Sequence, residues 1–328
     1  LGNNYQFLSD NSLNSLPQGA YHYRYFSDGN TSYYFNFYID DAFHFSARVQ
    51  AGYLTGTANE LVYAGSYSET LISKLIWEID SLYLAGLGCS LQYSFFVFHF
   101  DGWFKTADGD GTMDDYDWMI ENEEWTDWSH HKDTTITKAG ILDINSEIVI
   151  PGLSGQKFAL SGIAGFKREN FQWQARGGSY IYTSDPDTTF RDLAGNFTPG
   201  ELGITYEQTY DVPYLGIGFR GVMGPFELAG RLIGSRWAMV EAEDTHHLRD
   251  MYTIANMNRG GVFSCDLSVT YNFDQSFAVE CGYQHTDYEI MRGNSEYHFA
   301  NGSIATYRNG EGADLKTSMF IIRLIYSF

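Results

Sequence analysis

The chain has 328 residues, of which 25 are Tyr and 24 are Phe, and its 41 acidic residues outnumber 20 Lys and Arg to give a formal net charge of −21. This charge argues against nucleic acid as a partner, because phosphate binding needs clustered cationic side chains. It favours cationic partners, although a solvated acidic rim would have the same composition. No stretch approaches the roughly 18 uninterrupted apolar residues that a membrane-spanning helix requires. Segments of about 9 to 11 residues that alternate between apolar and polar do recur, and they favour a membrane β-barrel.

Two aromatic segments near the N-terminus predict a hairpin. Residues 21–26 and 33–39 alternate on either side of Ser27-Asp-Gly-Asn30, a sequence typical of a turn. We therefore expect residues 1–35 to form an N-terminal extension, whose hairpin lies in the barrel wall, in the lumen or below the membrane. No charged and apolar leader segment opens the sequence, so either a signal peptide has been removed or the chain never had one, and the start at Leu1 favours removal.

Alternating segments along the rest of the chain predict the strands. They lie at 82–100, 141–150, 157–166, 214–223, 227–235, 262–273 and 277–288. Short turns such as Asp274-Gln275 and 222–225 are typical of the periplasmic side of such a barrel. Longer polar stretches are expected to form the extracellular loops and rim, at 104–138, 183–205, 238–260 and 290–314.

The last ten residues show the strand pattern most clearly. The period of two places an apolar set on one face, namely Phe320, Ile322, Leu324, Tyr326 and Phe328. Arg323 and Ser327 fall on the other face, as expected for a strand between lipid and a polar lumen. Because a closed barrel leaves no unpaired edge, the first and last strands must pair. The sequence therefore predicts one all-β domain, an antiparallel transmembrane β-barrel over residues 36–328.

Two short elements contain residue types suited to hydrolysis. Asp115 and Asp117 are two positions apart, so a strand points both carboxylates into the same space, where they tend to share a proton or hold a water. Asp244 and His246 have the same spacing, and a carboxylate that orients an imidazole makes a usable base. Each pattern alone is common: an isolated pair of aspartates is more often a solvated loop, and most Asp-x-His sequences have no function.

Both elements stand within longer segments that resemble the omptins, the outer-membrane endopeptidases of enteric bacteria. The segments are Leu54-Thr-Gly-Thr-Ala-Asn-Glu-Leu-Val-Tyr63, 73–77, Met113-x-Asp-x-Asp-Trp-Met119, Trp125-Thr-Asp127, Ala175-Arg-Gly-Gly-Ser-Tyr-Ile-Tyr182 with Phe190-Arg-Asp192, and Gly203-Ile-x-Tyr206 with Pro213-Tyr214. They occur in the family's order between about residues 45 and 328, and the run from Ala175 to Tyr182 is the most specific of them.

The resemblance implies a ten-stranded antiparallel barrel in the bacterial outer membrane, with an active-site groove that faces the cell exterior. Asp115 and Asp117 would lie on one wall of the groove, and Asp244 and His246 on the other. It also implies that His246, oriented by Asp244, takes a proton from a water held against the two aspartates, and that this water attacks the scissile carbonyl. The absence of a Gly-x-Ser-x-Gly elbow fits a water nucleophile.

The same resemblance assigns residues to substrate binding. Glu60 would help receive a basic side chain before the scissile bond, and Met113 and Ile204 would belong to the following pocket. Asp127 would be either a further acidic groove residue or an ordinary acid of the rim.

One position of the basic pocket departs from the family pattern. Ala242 stands where omptins that cleave between basic residues carry Asp, and the flanking Glu241 and Glu243 face away on a strand. One lost charge-assisted contact is worth about 1.5 to 3 kcal/mol. We therefore expect a relaxed preference for cationic peptides.

The omptins also share a basic and aromatic contact with lipopolysaccharide on the outer barrel surface. Here Asn170 and Thr209 occupy two of the arginine positions, so dependence on this lipid is in question. Lys167 and Arg168 lie nearby and are expected to offer substitute phosphate contacts.

No metal or other cofactor is expected. Residues 108–114 are similar to a calcium loop, but Met113 replaces the turn glycine. The adjacent pairs His130-His131 and His246-His247 diverge on a strand. Three cysteines form no CxxC pair and are interpreted as small strand residues, namely Cys89, Cys265 and Cys281.

Two functions remain open from the sequence. The first is a surface endopeptidase acting on exposed, cationic peptides, which is favoured by the presence of all four catalytic positions. The second is a non-proteolytic barrel of the same fold that serves as an adhesin, a structural component or a channel. Ala242, the altered lipid contact and the N-terminal extension favour this divergence.

Overall fold

The computed structural model describes residues 19–27, 31–39, 43–119, 124–150, 153–154, 157–185 and 190–328. The strands in these ranges are β1 (Gly19–Ser27), β2 (Thr31–Ile39), β3 (Phe43–Tyr63), β4 (Leu71–Tyr93), β5 (Phe96–Lys105), β6 (Gly109–Asp117), β7 (Asp127–Val149), β8 (Phe158–Arg176), β9 (Ser179–Tyr182), β10 (Leu193–Asn196), β11 (Leu202–Met223), β12 (Phe226–His246), β13 (Met251–Asn272), β14 (Phe277–His298) and β15 (Ile304–Ser327). Over the same ranges, no helix is long and apolar enough to cross a membrane.

Antiparallel pairing closes most of these strands into a ring. The order around it is β3, β4, β5 with β6, β7, β8, β11, β12, β13, β14, β15 and back to β3. Because β5 and β6 both pair with β4 and β7, they share one position, and the described strands fill ten positions. The predicted ten-stranded antiparallel barrel is confirmed, including the pairing of its last strand with its first.

The N-terminal hairpin is also present. β1 pairs with β2 from Gly19 opposite Ile39 to Ser27 opposite Thr31, as a sheet separate from the ring. Residues 28–30 of the predicted turn lie outside the described residues. The predicted boundary between residues 35 and 36 falls inside β2, since the ring begins only at Phe43.

Exposed apolar side chains form a belt around the half of the barrel that carries the short turns. In β15 the predicted outer face is confirmed, because Phe320 is 62% exposed and Ile322 56%, while Arg323, which follows them on the other face, donates to Gln50 inside the barrel at 2.8 Å. The belt continues around the ring through Val49, Leu87, Phe98, Ile148, Ile217, Leu232, Phe263 and Leu267. An apolar surface of this extent is stable when lipid covers it.

The strands continue far above the belt, which corrects part of the sequence prediction. The stretches 104–138 and 238–260 were expected to be loops, but they contain β6, the start of β7 and the outer ends of β12 and β13. Their polarity reflects water around the sheet rather than an absence of strands. The predicted segment 82–100 is likewise two strands, joined at Ser94, whose φ of 54° makes the turn.

A buried aromatic layer fills the barrel between its two ends. Trp77 stacks on Tyr206 with ring centroids 5.4 Å apart, and Trp173 lies 6.1 Å from the same tyrosine ring. On the belt side of this layer, a cavity of about 770 Å³ is lined by paired charges such as Arg48 and Asp101. The aromatic layer therefore separates this polar cavity from the outer rim.

Candidate active site

Asp115 and Asp117 lie on β6 at the outer rim, with their side chains on one face of the strand. The Ser73 hydroxyl on neighbouring β4 donates to Asp115 Oδ1 at 3.4 Å. Asp114 points to the opposite face, where it accepts a hydrogen bond from the indole nitrogen of Trp128 at 2.9 Å. The alternation of the strand thus separates a structural acid from the predicted pair.

Burial and mutual repulsion make this aspartate pair hold a proton. Burial is the main cause that raises the pKa of Asp115 to about 8, and the charge of Asp117 raises it further. Burial also raises the pKa of Asp117, while the Ser73 hydroxyl and the Arg249 charge oppose that rise. Two close carboxylates cannot both ionise without cost, so the pair keeps a proton near neutral pH.

Asp244 and His246 lie on the inner face of β12. Asp244 Oδ2 is 2.6 Å from His246 Nε2, and the side chains are only 4% and 15% exposed. Burial lowers the pKa of His246, but the charge and hydrogen bond of Asp244 act in the opposite direction and leave it raised. The predicted pairing of carboxylate and imidazole is present, with Nδ1 as the remaining ring nitrogen.

The two elements act on each other across the barrel mouth. β7, β8 and β11 separate β6 from β12 in the ring. Asp115 is nevertheless among the groups that raise the pKa of His246, and His246 is among those that lower the pKa of Asp115 and Asp117. The barrel therefore brings together residues more than a hundred positions apart in sequence.

The residues predicted to bind substrate surround this centre at different depths. Glu60 on β3 is buried, and both Asp244 and Asp115 act on its charge. Ile204 pairs directly with His246 between β11 and β12. Met113 is fully buried two residues below Asp115, so its predicted contact with substrate stays a prediction.

Asp127 connects the aspartate pair to a neighbouring loop. It lies opposite Asp117 in the pairing of β6 with β7, and its charge raises the pKa of Asp117. Its Oδ1 accepts a hydrogen bond from the backbone nitrogen of Thr183 at 2.9 Å, and its Oδ2 accepts one from the Thr126 hydroxyl at 3.0 Å. It therefore holds the rim together as well as adding negative charge.

Three further residues belong to the site and were missed from the sequence. Arg249, in the turn after β12, lowers the pKa of Asp115, Asp117 and His246. Burial and the charge of Asp115 raise the pKa of Tyr182 to about 12. Glu311 on β15 is 3% exposed, and burial raises its pKa to about 7. Tyr182 had the signal of ending the family-like run from Ala175, and Arg249 had the weak signal of lying three residues after His246. No local motif marks Glu311 as a site residue.

The run from Ala175 to Tyr182 makes the reversal that brings Tyr182 to the rim. Gly177 and Gly178 have φ of 52° and 108°, conformations that L side chains rarely adopt. A Cβ on Gly178 would also overlap the carbonyl oxygen of His130. The glycines therefore allow β8 to turn directly into β9.

The predicted substitute contact for lipopolysaccharide is wrong for Lys167. Its side chain is 3% exposed and lies inside the barrel, 2.7 Å from Glu169. Arg168 does face outward, at 3.6 Å from Asp211. Asn170 donates to the Thr209 hydroxyl at 2.7 Å, so the two positions that differ from the family form a neutral contact.

The adjacent histidines point to different partners. His130 lies 3.0 Å from Asp114, whereas His131 contacts the Ser129 hydroxyl at 3.0 Å. His247 contacts the Thr205 hydroxyl at 2.9 Å, away from the pair of His246 and Asp244. Within the described ranges, no group of at least three His, Cys, Asp or Glu is placed to hold a metal ion. The three cysteines are free strand residues.

Comparison with known proteins gives a consistent result. The plasminogen activator of Yersinia pestis is 28% identical over 280 residues, which cover 85% of this chain and 87% of that protein. Protease 7 of Escherichia coli O157:H7 is 31% identical over 206 residues, which cover 62% of this chain and 63% of that protein. The crystal structure of the outer membrane protease OmpT from Escherichia coli matches with a TM-score of 0.81 at 25% identity, over 87% of this chain and 97% of that one.

The matched solved structure is that of an outer membrane protease, and the apolar belt of the present barrel fits the same location. The model of the Omptin family matches residues 41–328, which include every strand of the ring. This chain is an outer-membrane β-barrel and belongs to the omptin family.

Proposed function

We propose that this protein is an endopeptidase that hydrolyses exposed peptides next to basic residues, from a groove facing the cell exterior. The observation that carries the proposal is the contact of 2.6 Å between His246 and Asp244, at a rim where both act on the charge of Asp115 and His246 also acts on that of Asp117. A base and a proton-holding acid pair are what water-mediated peptide hydrolysis requires.

His246 acts as the general base. Asp244 holds the ring through Nε2, which leaves Nδ1 to take a proton from water. The buried carboxylate also stabilises the imidazolium that forms, as the raised pKa of His246 indicates. The resulting hydroxide equivalent attacks the scissile carbonyl carbon.

The aspartate pair positions the water and stabilises the tetrahedral intermediate. One carboxylate accepts a hydrogen bond from the water, and the proton kept by the pair is donated toward the carbonyl oxygen as negative charge develops there. When the C–N bond breaks, the leaving amine takes the proton from the His246 imidazolium. No protein nucleophile, metal or other cofactor enters this sequence of steps.

The acidic surroundings support a preference for cationic substrates. The charges that act on buried Glu60 are all negative, from Asp244, Glu311 and Asp115. A Lys or Arg side chain entering this region would neutralise them, and the net charge of −21 would attract cationic peptides from a distance.

The test is cleavage of a peptide library by detergent-folded protein, with and without added lipopolysaccharide. His246→Ala and Asp115→Ala should each reduce cleavage by about 10²-fold or more, because a positioned acid or base contributes about that much. His247→Ala and Asp114→Ala are matched controls, since they change the neighbouring residue of the same type on the opposite face.

Loss of cleavage in the first two variants with retention in the controls would establish the hydrolase. Cleavage only with lipopolysaccharide would add a lipid requirement to it. No cleavage by the intact protein under either condition would reject the proposal in favour of a non-proteolytic barrel.

A further inference from the structure

Glu60 and Glu311 form a pair of buried carboxylates beside the catalytic centre. In the pairing of β3 with β15, Glu60 lies opposite Ala313 and Glu311 opposite Val62, so the two are diagonal neighbours. Diagonal neighbours on one sheet face are about 7 to 8 Å apart, which is within the combined reach of two Glu side chains. Both are 3% exposed.

Each of these carboxylates has an oxygen without a hydrogen-bond partner. They are Oε2 of Glu60 and Oε1 of Glu311. The Trp77 indole lies close enough to Glu60 to lower its pKa, yet its nitrogen also has no partner. Buried polar atoms are nearly always paired in native proteins, so two acidic oxygens at one place that pair with no protein group can accept hydrogen bonds from a substrate side chain.

The charged groups around the pair do not bind these two oxygens. Asp244 and Asp115 repel Glu60, and Asp244 also repels Glu311. His246 is the cation that acts on Glu311, but its Nε2 is already bound to Asp244. The Tyr297 hydroxyl lies beside Glu311 and lowers its pKa, and it is neutral.

We propose that Glu311 is a specificity-determining residue that, together with Glu60, receives the basic side chain preceding the scissile bond. This proposal rests on the proposed protease function. It changes the expectation drawn from Ala242: the carboxylate absent from β12 is replaced by one on β15, so the pocket keeps two acids. The preference for basic residues is then strong rather than relaxed.

The arrangement fits a guanidinium group better than an ammonium group. Arg presents five N–H donors in a planar fork that can bridge two carboxylates, whereas Lys brings one compact charge. The pair should also release a proton on binding a cation, because burial keeps Glu311 partly protonated near neutral pH.

The experiment uses peptides identical except before the scissile bond, where they carry Arg, Lys or citrulline, the neutral isostere of Arg. For Glu311→Gln we expect kcat/KM for the Arg peptide to fall about tenfold or more, as for a lost charge-assisted contact, with less than about threefold change for citrulline. Glu241→Gln, an equal change of charge on an exposed residue of β12, is the control.

Two further measurements separate specificity from folding. Ala242→Asp in the Glu311→Gln background should restore the preference for Arg, which a misfolded variant could not do. In the intact protein the ratio of Arg to citrulline cleavage should rise with pH around neutrality, and in Glu311→Gln this rise should be reduced.

Binding to the His246→Ala variant distinguishes the two proposals. If the intact protein cleaves nothing, the protease function fails, and preferential binding of the Arg peptide that is lost on adding Glu311→Gln would still support the pocket. Two results would overturn the role of Glu311. One is that the intact protein cleaves or binds the Arg and citrulline peptides equally well. The other is that Glu311→Gln loses activity or affinity to the same extent for both peptides.

Discussion

The charge state of His246 results from two opposing effects at one residue. Burial lowers its pKa, whereas the Asp244 carboxylate at 2.6 Å raises it by more. The same contact that orients the ring thus sets the pH at which the base becomes available. In the proposed mechanism the rate rises with pH as His246 loses its proton and falls as the aspartate pair loses its own.

Asp244→Asn tests this balance. Without the carboxylate, burial remains and the pKa of His246 should fall, so the acid side of the profile should move to lower pH. The rate should also fall about 10²- to 10⁴-fold, because the imidazolium loses its partner and the amide can favour the wrong tautomer. Both are measured from kcat against pH. A variant that is slower but whose kcat rises over the same pH range as that of the intact protein would contradict the proposed role of Asp244.

Arg249→Gln should move the pH profile of activity to higher pH, opposite to the shift expected for Asp244→Asn. Arg249 lowers the pKa of Asp115, Asp117 and His246, so its removal should raise all three. Both limbs of kcat/KM should therefore shift to higher pH. Arg308→Gln provides a control for the loss of one positive charge, because Arg308 lies in β15 and is not among the groups that shift the pKa of Asp115, Asp117 or His246. An unchanged profile would remove Arg249 from the site.

Whether a site residue could be predicted from the sequence depends on whether its position is set by local strand periodicity or by the pairing of distant strands. Asp115 with Asp117, and Asp244 with His246, could be predicted as pairs because the period of two is a local property of a strand. Glu311 could not, since its approach to the site depends on the register of β15 against β3. Lys167 was placed on the wrong face because its charge was weighed before its position in the alternation.

At the level of strands, alternation predicted those within the apolar belt and failed above it. Within the apolar belt one face of each strand meets lipid and the other faces the polar interior. The alternation of apolar and polar residues is therefore strong in segments such as 277–288. Above the belt both faces are polar, so the sequence of β6 resembles an acidic loop although the strand carries Asp115 and Asp117. The resemblance to the omptins supplied what the pattern could not.

The glycine turn between β8 and β9 is predicted to position Tyr182, and Gly178→Ala tests this. Gly178→Ala would force a side chain into φ of 108° and against the His130 carbonyl, at a cost of about 1 to 3 kcal/mol. The strain should displace Tyr182 from the aspartates. We expect activity to fall at least severalfold while the barrel still folds, as judged by its heat-dependent mobility in electrophoresis.

Gly162→Ala is the matched control, because Gly162 lies on β8, the strand that leads into the reversal, and a Cβ there meets nothing within 4 Å. It should leave activity unchanged. Equal activity of the two variants would show that the reversal does not position the site.

For the molecule as a whole, the interior of the barrel has two regions that differ in how their charged side chains are paired. The belt half contains matched ion pairs such as Arg48 with Asp101, which satisfy one another below the aromatic layer. The rim instead collects acids, among them Asp115, Glu60 and Glu311, whose pKa values are raised mainly by burial. The rim is therefore the part of the fold in which ionisation of buried acids is unfavourable.

The unfavourable ionisation of Glu311 predicts how the stability of the barrel depends on pH. The folded pKa of Glu311 is about 7, against an ordinary value of 4.5. Below the ordinary value the carboxyl is protonated in both states. As pH rises to about 7 the unfolded chain ionises first, so the folded state loses stability, and above that pH the loss is complete.

Glu311→Gln removes this unfavourable ionisation and should stabilise the protein at pH 9 by on the order of 3 kcal/mol, because the folded pKa of about 7 stands above the ordinary 4.5 and one pKa unit corresponds to about 1.4 kcal/mol. At pH 4 it should have little effect. The measurement is unfolding in detergent at both pH values, with exposed Glu241→Gln as the control for a change of net charge. A stabilisation equal at both pH values, or equal in the two variants, would mean that Glu311 is not held against its own ionisation.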